Sequence, residues 1–315
     1  MEKRHVLFSG YGAEGREDIV LYEVTGDGAA RRLSGVRHGR APSFCCRGMD
    51  GRIYAVSERA DGADITMYEL LGETLRAVRA MKTPGKGLCH LYAHGGVVYG
   101  SCFESGDFFA VDAALTQVLW QFHPGEGAHA HWTQADGEFL WMADLGRDSV
   151  YRVHLDGWLP DSEPERIPQP AGSGPRQILA LGNGERLCVY ELDGMLRTLD
   201  GEGCVQAETA ASGVPGETVR NFPGGACRDV SGKIYVCNRG PNTVSAWQLS
   251  ESGFQQRVEW NTGDWPRHIA VLEGTELVLT ACARENAVCG SLVHGRDVRE
   301  TFRIALPGAS CVLPL

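Results

Sequence analysis

The chain has 315 residues and a mass of 34.2 kDa, and its 43% apolar and 22% charged residues exclude a disordered, collagen-like or membrane-embedded protein. Forty-one glycines, roughly twice the usual share, indicate frequent turns and argue against a helical bundle. The net charge of −10 and the isoelectric point near 5.5 exclude a general electrostatic field that attracts nucleic acid or an anionic membrane.

The first twelve residues, MEKRHVLFSGYG, are charged and then only briefly apolar, unlike a signal peptide. No later run approaches the roughly 20 apolar residues of a membrane span. We therefore expect a cytoplasmic protein. The eleven cysteines include no C-x-x-C pair and mostly stand in apolar segments, which predicts reduced core cysteines rather than disulfides or a zinc site.

Two strand-like runs, HVLFSG and DIVLYEV, open the chain, and from residue 42 onward a short phrase recurs. Each copy joins a small or basic residue, a His or small polar residue, and an apolar run. The seven copies are Pro42-Ser43-Phe44, Cys89-His90-Leu91, Ala130-His131-Trp132, Arg176-Gln177-Ile178, Ala226-Cys227-Arg228, Arg267-His268-Ile269 and Ser310-Cys311-Val312. Their middle residues lie 47, 41, 46, 50, 41 and 43 positions apart, a spacing typical of blade repeats.

A turn and a second apolar run follow every copy except the last. The turns are Asp50-Gly51, Gly95-Gly96, Asp136-Gly137, Asn183-Gly184, Ser231-Gly232 and Glu273-Gly274. Such pairs predict two-residue hairpins, because both central residues of a type I′ turn need a positive φ. No long segment has helical periodicity with caps, so helices should be scarce. The repeat after Asn183 is short, and we expect an irregular blade there.

This pattern predicts one all-β domain over residues 1–315, a seven-bladed β-propeller with four antiparallel strands per blade. The last phrase, GASCVLPL, has no partner strand after it, whereas the first two strands have no phrase before them. The two ends of the chain should therefore share one blade and close the ring. Closure removes the open sheet edge that invites aggregation.

Two motifs are set aside. Residues Gly10 to Gly15 match the dinucleotide signature G-x-G-x-x-G, but a strand follows where the motif needs a helix N-terminus, so we interpret them as a loop. His129 and His131 would face the same side of a strand and could ligate a metal. No carboxylate or Cys stands at a companion spacing, so no metal is expected.

The recurring phrases mark the entry to the innermost strand of each blade, and in a closed propeller they gather at the mouth of the central channel. The expected ring consists of His90, His129, His131, Arg176, Arg267 and His268, joined by Glu58, Glu191 and Arg239 from the loops after the second strands. A basic pocket of this kind suits a small anionic substrate. Alternatively, one His or Arg per blade only ties neighbouring blades together, although three arginines at one mouth repel one another unless they meet anions.

Several of these phrases resemble the lactonase family of seven-bladed propellers, which includes propeller-type 6-phosphogluconolactonases and carboxymuconate-cyclising enzymes. They are GLCHL at 87–91, HAH at 129–131, GSGPRQI at 172–178, YEL at 190–192, CNRG at 237–240 and GDWPRHI at 263–269. The resemblance implies that His131 or His129, Arg176, Glu191 and Arg239 occupy the family's proposed active-site positions. Gln177 stands where the family phrase G-P-R-H has His.

The resemblance implies hydrolysis of a small anionic sugar lactone, most simply 6-phosphogluconolactone in the pentose phosphate pathway, without a cofactor. We predict that His131 is the general base, since imidazole titrates near neutral pH. Glu191 would orient it, and Arg176 and Arg239 would hold the oxyanion or the phosphate. His90, His129, Arg267, His268 and Glu58 are assigned to substrate binding.

Two other functions remain open from the sequence. The chain could be a non-catalytic propeller that binds a ligand or a protein, or it could cyclise or delactonise muconate-type carboxylates with the same arginines. In the lactonase interpretation the partner is a small anionic lactone, with neither nucleic acid nor membrane, and the chain is a monomer or a weak homo-oligomer.

Overall fold

The computed structural model describes residues 3–315, and these residues form only strands, turns and loops. In chain order the first strands are β1 (Lys3–Gly10), β2 (Ile19–Thr25), β3 (Ala30–Val36), β4 (Cys45–Arg47), β5 (Ile53–Arg59), β6 (Gly62–Leu71), β7 (Thr74–Lys82), β8 (Leu88–His94), β9 (Val97–Cys102), β10 (Phe108–Asp112), β11 (Val118–Phe122), β12 (Ala130–Asp136), β13 (Phe139–Asp144) and β14 (Ser149–Asp156). The others are β15 (Leu159–Pro160), β16 (Glu165–Pro168), β17 (Pro175–Ala180), β18 (Arg186–Tyr190), β19 (Met195–Leu199), β20 (Val205–Ala210), β21 (Phe222–Arg228), β22 (Ile234–Arg239), β23 (Thr243–Ser250), β24 (Gly253–Asn261), β25 (Pro266–Val271), β26 (Leu277–Cys282), β27 (Ala287–His294), β28 (Asp297–Ala305) and β29 (Ala309–Pro314).

These strands form seven antiparallel sheets, which are the blades of a propeller. Blade 1 has the order β29-β1-β2-β3, and blades 2 and 3 are β4 to β7 and β8 to β11. Blade 4 is β12 to β16, and blades 5, 6 and 7 are β17 to β20, β21 to β24 and β25 to β28. The innermost strands of successive blades contact one another around a closed ring. The predicted seven-bladed propeller is confirmed.

The first and last strands close the ring within blade 1, as predicted. Strand β29 pairs with β1, with Phe8 opposite Val312 and Leu7 opposite Leu313, and the amide of Leu315 donates to the carbonyl of His5 at 2.9 Å. The inner strand of this blade thus comes from the other end of the chain. Residues 3–315 contain no helix of the length and apolarity that crossing a membrane would need.

The apolar core lies mainly between neighbouring blades. At the closure, for example, Val6 and Phe8 of blade 1 pack with Leu277 and Leu279 of blade 7, and all four are fully buried. Each blade therefore needs its neighbours to bury its faces. All eleven cysteines are free thiols and most are buried, which agrees with the prediction of reduced core cysteines.

Two details of the predicted blades are wrong. The blade after Asn183 is a complete four-stranded sheet, whereas the irregular blade is blade 4, whose outermost strand is divided into β15 and β16. Prolines at 160, 164 and 168 explain the division, because proline cannot donate a backbone hydrogen bond to the ladder. The turns lie where they were predicted, but only Gly95-Gly96 has a positive φ at both residues (59° and 83°), so the other turns are not type I′.

Candidate active site at the channel mouth

A β-bulge recurs at the same level in the innermost strands. The pairing with the second strand skips Cys89, His131, Arg176, Arg267 and Ser310 in five of the blades. A bulge leaves one residue out of the ladder and redirects its side chain. We call this end of the channel the mouth. Cys89, His131, Arg176, Arg267 and Ser310 all line it.

The residue after each bulge has a different task. Three of these residues bond to the innermost strand of the next blade: His90 Nδ1 accepts from the amide of Thr133 at 3.3 Å, His268 Nδ1 from that of Val312 at 3.1 Å, and Gln177 Oε1 from that of Ala226 at 2.7 Å. Gln177 Nε2 also donates to the Ala226 carbonyl at 2.9 Å. Glutamine thus makes here the inter-blade contact that histidine makes elsewhere in the ring.

His90 and His268 are neutral residues that connect neighbouring blades. Burial lowers the pKa of His90 well below its usual range, and burial together with Arg176 and Arg267 lowers the pKa of His268 to about 4. Both rings are therefore neutral at pH 7 and hold the blades together through Nδ1. Because Nδ1 is occupied in both rings, only Nε2 could contact a substrate, and that contact stays a prediction. The rings of Phe44 and Trp132 lie against them, with the His90 and Trp132 centroids 3.6 Å apart.

Glu191 joins two arginines at the mouth. Its Oε2 accepts a hydrogen bond from Arg176 and forms an ion pair with Arg239 Nη2 at 2.9 Å. Arg239 is further fixed by bonds to the carbonyls of Phe222 at 2.8 Å and Pro223 at 2.9 Å. Only 6% of Arg176 and 3% of Arg239 is exposed to solvent. The structure therefore brings three of the four predicted catalytic residues into one buried ion cluster.

The charges of this cluster follow from its contacts. Burial alone would raise the pKa of Glu191, but Arg176 and Arg239 outweigh burial and hold that pKa well below its usual range. Burial and the neighbouring Arg176 lower the pKa of Arg239 to about 9. At neutral pH the glutamate is thus ionised and the guanidinium still protonated. The two arginines share a single negative charge.

A second cluster surrounds Glu58. Its carboxylate accepts from Ser43 Oγ and from Tyr11 Oη at 3.0 and 3.1 Å, and Arg267 Nη2 lies 3.7 Å from Oε1. The Arg267 guanidinium also lies 5.2 Å from the centre of the Tyr11 ring. Burial raises the pKa of Tyr11, so its phenol remains a donor. Burial would lower the pKa of Arg267, but Tyr11 and Glu58 raise it further than burial lowers it.

His131 interacts electrostatically with both clusters and is 7% exposed. Its Nδ1 is buried and has no hydrogen-bond partner among the described residues. Burial, then Arg176, lower its pKa well below the usual range, whereas Glu191 opposes the shift. The expectation of an imidazole that titrates near neutral pH is therefore wrong, because the ring is buried beside a guanidinium. At pH 7 the His131 ring is neutral, so one of its two nitrogens carries a proton and the other a lone pair.

His129 lies in a different environment from His131. Its Nδ1 bonds to the carbonyl of Phe103 at 2.8 Å, and its ring stacks on the Phe103 ring at 4.6 Å between centroids. The His131 ring also lies near Phe103, at 6.0 Å between centroids and nearly perpendicular to it. Residues 3–315 contain no group of three or more His, Cys, Asp or Glu side chains arranged to hold a metal ion.

The mouth is less basic than the sequence predicts. Three guanidiniums face two carboxylates and a neutral His131, which leaves one positive charge in excess. The cavity enclosed at the mouth has a volume of about 30 Å³, room for about one water molecule and far below the volume of a pocket that encloses a whole ligand. An arrangement of an unprotonated imidazole, fixed guanidiniums and a phenol donor can take a proton from water and stabilise an oxyanion.

Sequence reasoning missed Tyr11 because it lies in the Gly10–Gly15 segment that was set aside as a loop. That segment is indeed a turn between β1 and β2 without a helix. It follows the second strand of blade 1, however, and the equivalent strand ends supply site residues in other blades. Glu191 follows β18, whereas Glu58 and Arg239 lie within the last residues of β5 and β22 rather than in the loops predicted to hold them. Applying the same positional rule to the first blade would have found Tyr11.

Comparison with known proteins agrees with the fold. The chain matches the lactonase family, a family of seven-bladed β-propellers, over residues 5–312. It therefore belongs to the lactonase family. The uncharacterized protein YwcC of Lactococcus lactis is 25% identical over 99% of this chain and 100% of its own length.

Two further proteins are similar to this chain. A 6-phosphogluconolactonase of Klebsiella pneumoniae is 23% identical over 53% of this chain and 54% of that enzyme. A crystal structure of a candidate 6-phosphogluconolactonase from Bacteroides uniformis superposes with a TM-score of 0.88 at 20% identity, covering 100% of both chains. At that identity the structural match shows the fold alone.

Proposed function

We propose that this protein hydrolyses the lactone ring of a small anionic sugar acid, with 6-phosphogluconolactone as its substrate. Membership of the lactonase family and the similarity to a 6-phosphogluconolactonase support this choice. The observation that carries it is the position of His131, which lines the mouth cavity together with Arg176 and Arg267 and whose buried Nδ1 has no hydrogen-bond partner among the described residues. These are the groups that ester hydrolysis at neutral pH requires.

In the proposed mechanism, His131 takes a proton from water as the oxygen adds to the lactone carbonyl carbon. Arg176 and Arg267 stabilise the resulting oxyanion. Ionised Glu191 stabilises the imidazolium that forms, which offsets the unfavourable effect of Arg176 on that cation. The ring C–O bond then breaks, and the leaving oxygen takes the proton back from His131. A positioned base typically contributes about 10² to 10⁴ in rate.

A substrate panel tests the proposal. Proton release is followed for 6-phosphogluconolactone, gluconolactone and a muconolactone, each against the spontaneous rate and against the His131→Ala variant. We expect the purified protein to prefer the phosphorylated lactone and His131→Ala to approach the spontaneous rate. Preference for the muconolactone would point to the carboxylate chemistry instead. No turnover of any of the three would contradict a lactonase and favour a binding propeller.

A further inference from the structure

A row of aromatic and arginine side chains lies next to the mouth on blades 6 and 7, and the mechanism above does not use it. The Arg220 guanidinium lies 4.7 Å from the Phe222 ring centre, Phe222 and Trp265 are 6.1 Å apart, and the Arg284 guanidinium lies 3.4 Å from the Trp265 ring. We call Arg220, Phe222, Trp265 and Arg284 the rim stack. Trp265 also meets Arg239 of the site at 5.4 Å, so the rim stack and the ion cluster are in contact.

Trp265 is held in an unusual backbone conformation. Its φ is 60°, a left-handed value that is rare for a bulky residue, and Pro266 follows it. Two bonds fix this conformation: the Trp265 amide donates to Asn242 Oδ1 at 3.0 Å, and its carbonyl accepts from the amide of Ala283 at 3.0 Å. Strained residues of this kind concentrate at functional sites, where the surrounding structure enforces them. In this conformation the indole contacts the guanidiniums of both Arg239 and Arg284.

The two outer arginines of the rim stack differ from the arginines of the mouth in having no counter-ion. Within residues 3–315 no carboxylate oxygen lies within 4.0 Å of Arg220 or Arg284, whereas Arg176, Arg239 and Arg267 each have one. Both are exposed. Arg284 lies in a turn, and Arg220 lies in the loop before β21, where its Nη2 donates to the Leu192 carbonyl at 2.8 Å.

The carboxylates next in sequence to Trp265 and to Arg284 are engaged elsewhere. Asp264 accepts from Asn242 at 2.9 Å, and Glu285 pairs with Arg303 at 2.7 Å. Arg284 therefore presents a full positive charge to solvent, fixed on the indole face by a cation–π contact. An ordered guanidinium without a protein anion is well suited to an anion from outside.

We propose that the rim stack binds the phosphate monoester of the substrate, with Arg284 and Arg220 as specificity-determining residues and Trp265 as a positioning residue. This inference rests on the proposed function, because it divides the substrate between two places. The lactone carbonyl lies at His131, Arg176 and Arg267, and the phosphate lies at the rim beyond Arg239. A planar guanidinium fork matches phosphate oxygens better than a point charge does.

The test compares kcat/KM for 6-phosphogluconolactone with that for gluconolactone in Arg284→Gln. We expect the value for the phosphorylated lactone to fall about 10- to 100-fold, the range for a charged hydrogen bond. The value for gluconolactone should fall by a much smaller factor, so that the preference for phosphate drops at least tenfold. Arg284→Lys should restore part of that preference. Trp265→Leu should lower the preference in the same direction.

Arg299→Gln is the matched control, because Arg299 is exposed on the outermost strand of the same blade as Arg284. It should leave both values unchanged. Equal losses for the two lactones in Arg284→Gln would overturn the phosphate subsite while leaving the lactonase proposal intact.

Binding measured by calorimetry separates the two proposals further, using 6-phosphogluconate, the stable product of the reaction. If the wild-type protein turns over no lactone, the proposed function fails on its own. Weaker binding of 6-phosphogluconate to Arg284→Gln than to Arg299→Gln would then still support the subsite. Equal binding to both variants would overturn it.

Discussion

Replacing Glu191 by Gln tests whether the ion cluster holds the mouth together. The amide keeps the shape of the side chain but removes the negative charge that Arg176 and Arg239 share. Both guanidiniums are almost wholly buried and would then repel each other without compensation. Breaking a buried ion pair by removing one partner typically destabilises a protein by about 3–5 kcal/mol.

We expect the lower end of that range, about 3 kcal/mol, because 18% of the Glu191 side chain is exposed and water offsets part of the loss. The pKa of Glu191 is depressed in the folded state, so its stabilising effect is complete above the ordinary carboxyl pKa of about 4.3. The effect is lost as the pH falls below that value toward the folded-state pKa. The difference between wild type and Glu191→Gln should therefore be largest at neutral pH and shrink in acid.

Urea unfolding at pH 7 and at pH 4 and below measures this difference directly, through the shift in the midpoint at constant m. Glu165→Gln is the control, since Glu165 also contacts an arginine, Arg152, at 2.7 Å but is 59% exposed. It should shift the midpoint little. Equal midpoints for wild type and Glu191→Gln at pH 7 would refute the assignment of Glu191 as the shared counter-ion.

Three further predictions concern the base, the pH profile and the ring closure. His131→Ala and Arg176→Ala should each lose at least about a hundredfold in kcat/KM while melting as folded proteins; near-normal hydrolysis by both would rule out this site. Because the pKa of His131 is lowered, wild-type activity should persist as the pH falls through about 6.5, and a loss centred there would indicate a solvent-exposed base. Deleting residues 308–315 removes β29, whose Ala309 and Cys311 are fully buried, and should abolish cooperative thermal unfolding measured by circular dichroism.

The sequence was sufficient to predict the propeller because the repeat is a backbone property. Each blade needs an innermost strand, a turn and partner strands, and the phrase around Ser43, His131 or His268 marks the first of these. Blade 1, which combines strands from both ends of the chain, could also be predicted, because the first two strands and the last phrase each lacked a partner in the repeat. The division of blade 4 depended on proline positions in an outermost strand, where no phrase recurs.

The site was predicted less completely. The position of the bulge within the recurring phrase differs by one residue between blades, so residues at the same position of the phrase do not occupy the same place in the structure. His90 and His131 share the middle position of their phrases, yet the bulge skips Cys89 in one strand and His131 in the other. His90 is thus the structural counterpart of Trp132, and it ties blades together while His131 faces the mouth. A bulge has no signature in a single sequence of this kind, so the offset becomes visible only in the strand register.

The acidity of the whole molecule and the basicity of its mouth are compatible because electrostatic fields are short-ranged in salt. At physiological ionic strength the Debye length is about 8 Å, so an approaching anion responds to the groups nearest to it rather than to the net charge of −10. Near the mouth those groups are one excess positive charge in the ion clusters and the guanidiniums of Arg220 and Arg284, which have no carboxylate within 4.0 Å among residues 3–315. Glu191 and Glu58 partly neutralise Arg176, Arg239 and Arg267, and these ion pairs hold the three side chains in place without a ligand. In the proposed arrangement, most of the positive charge that favours a phosphorylated over an unphosphorylated lactone comes from the rim stack.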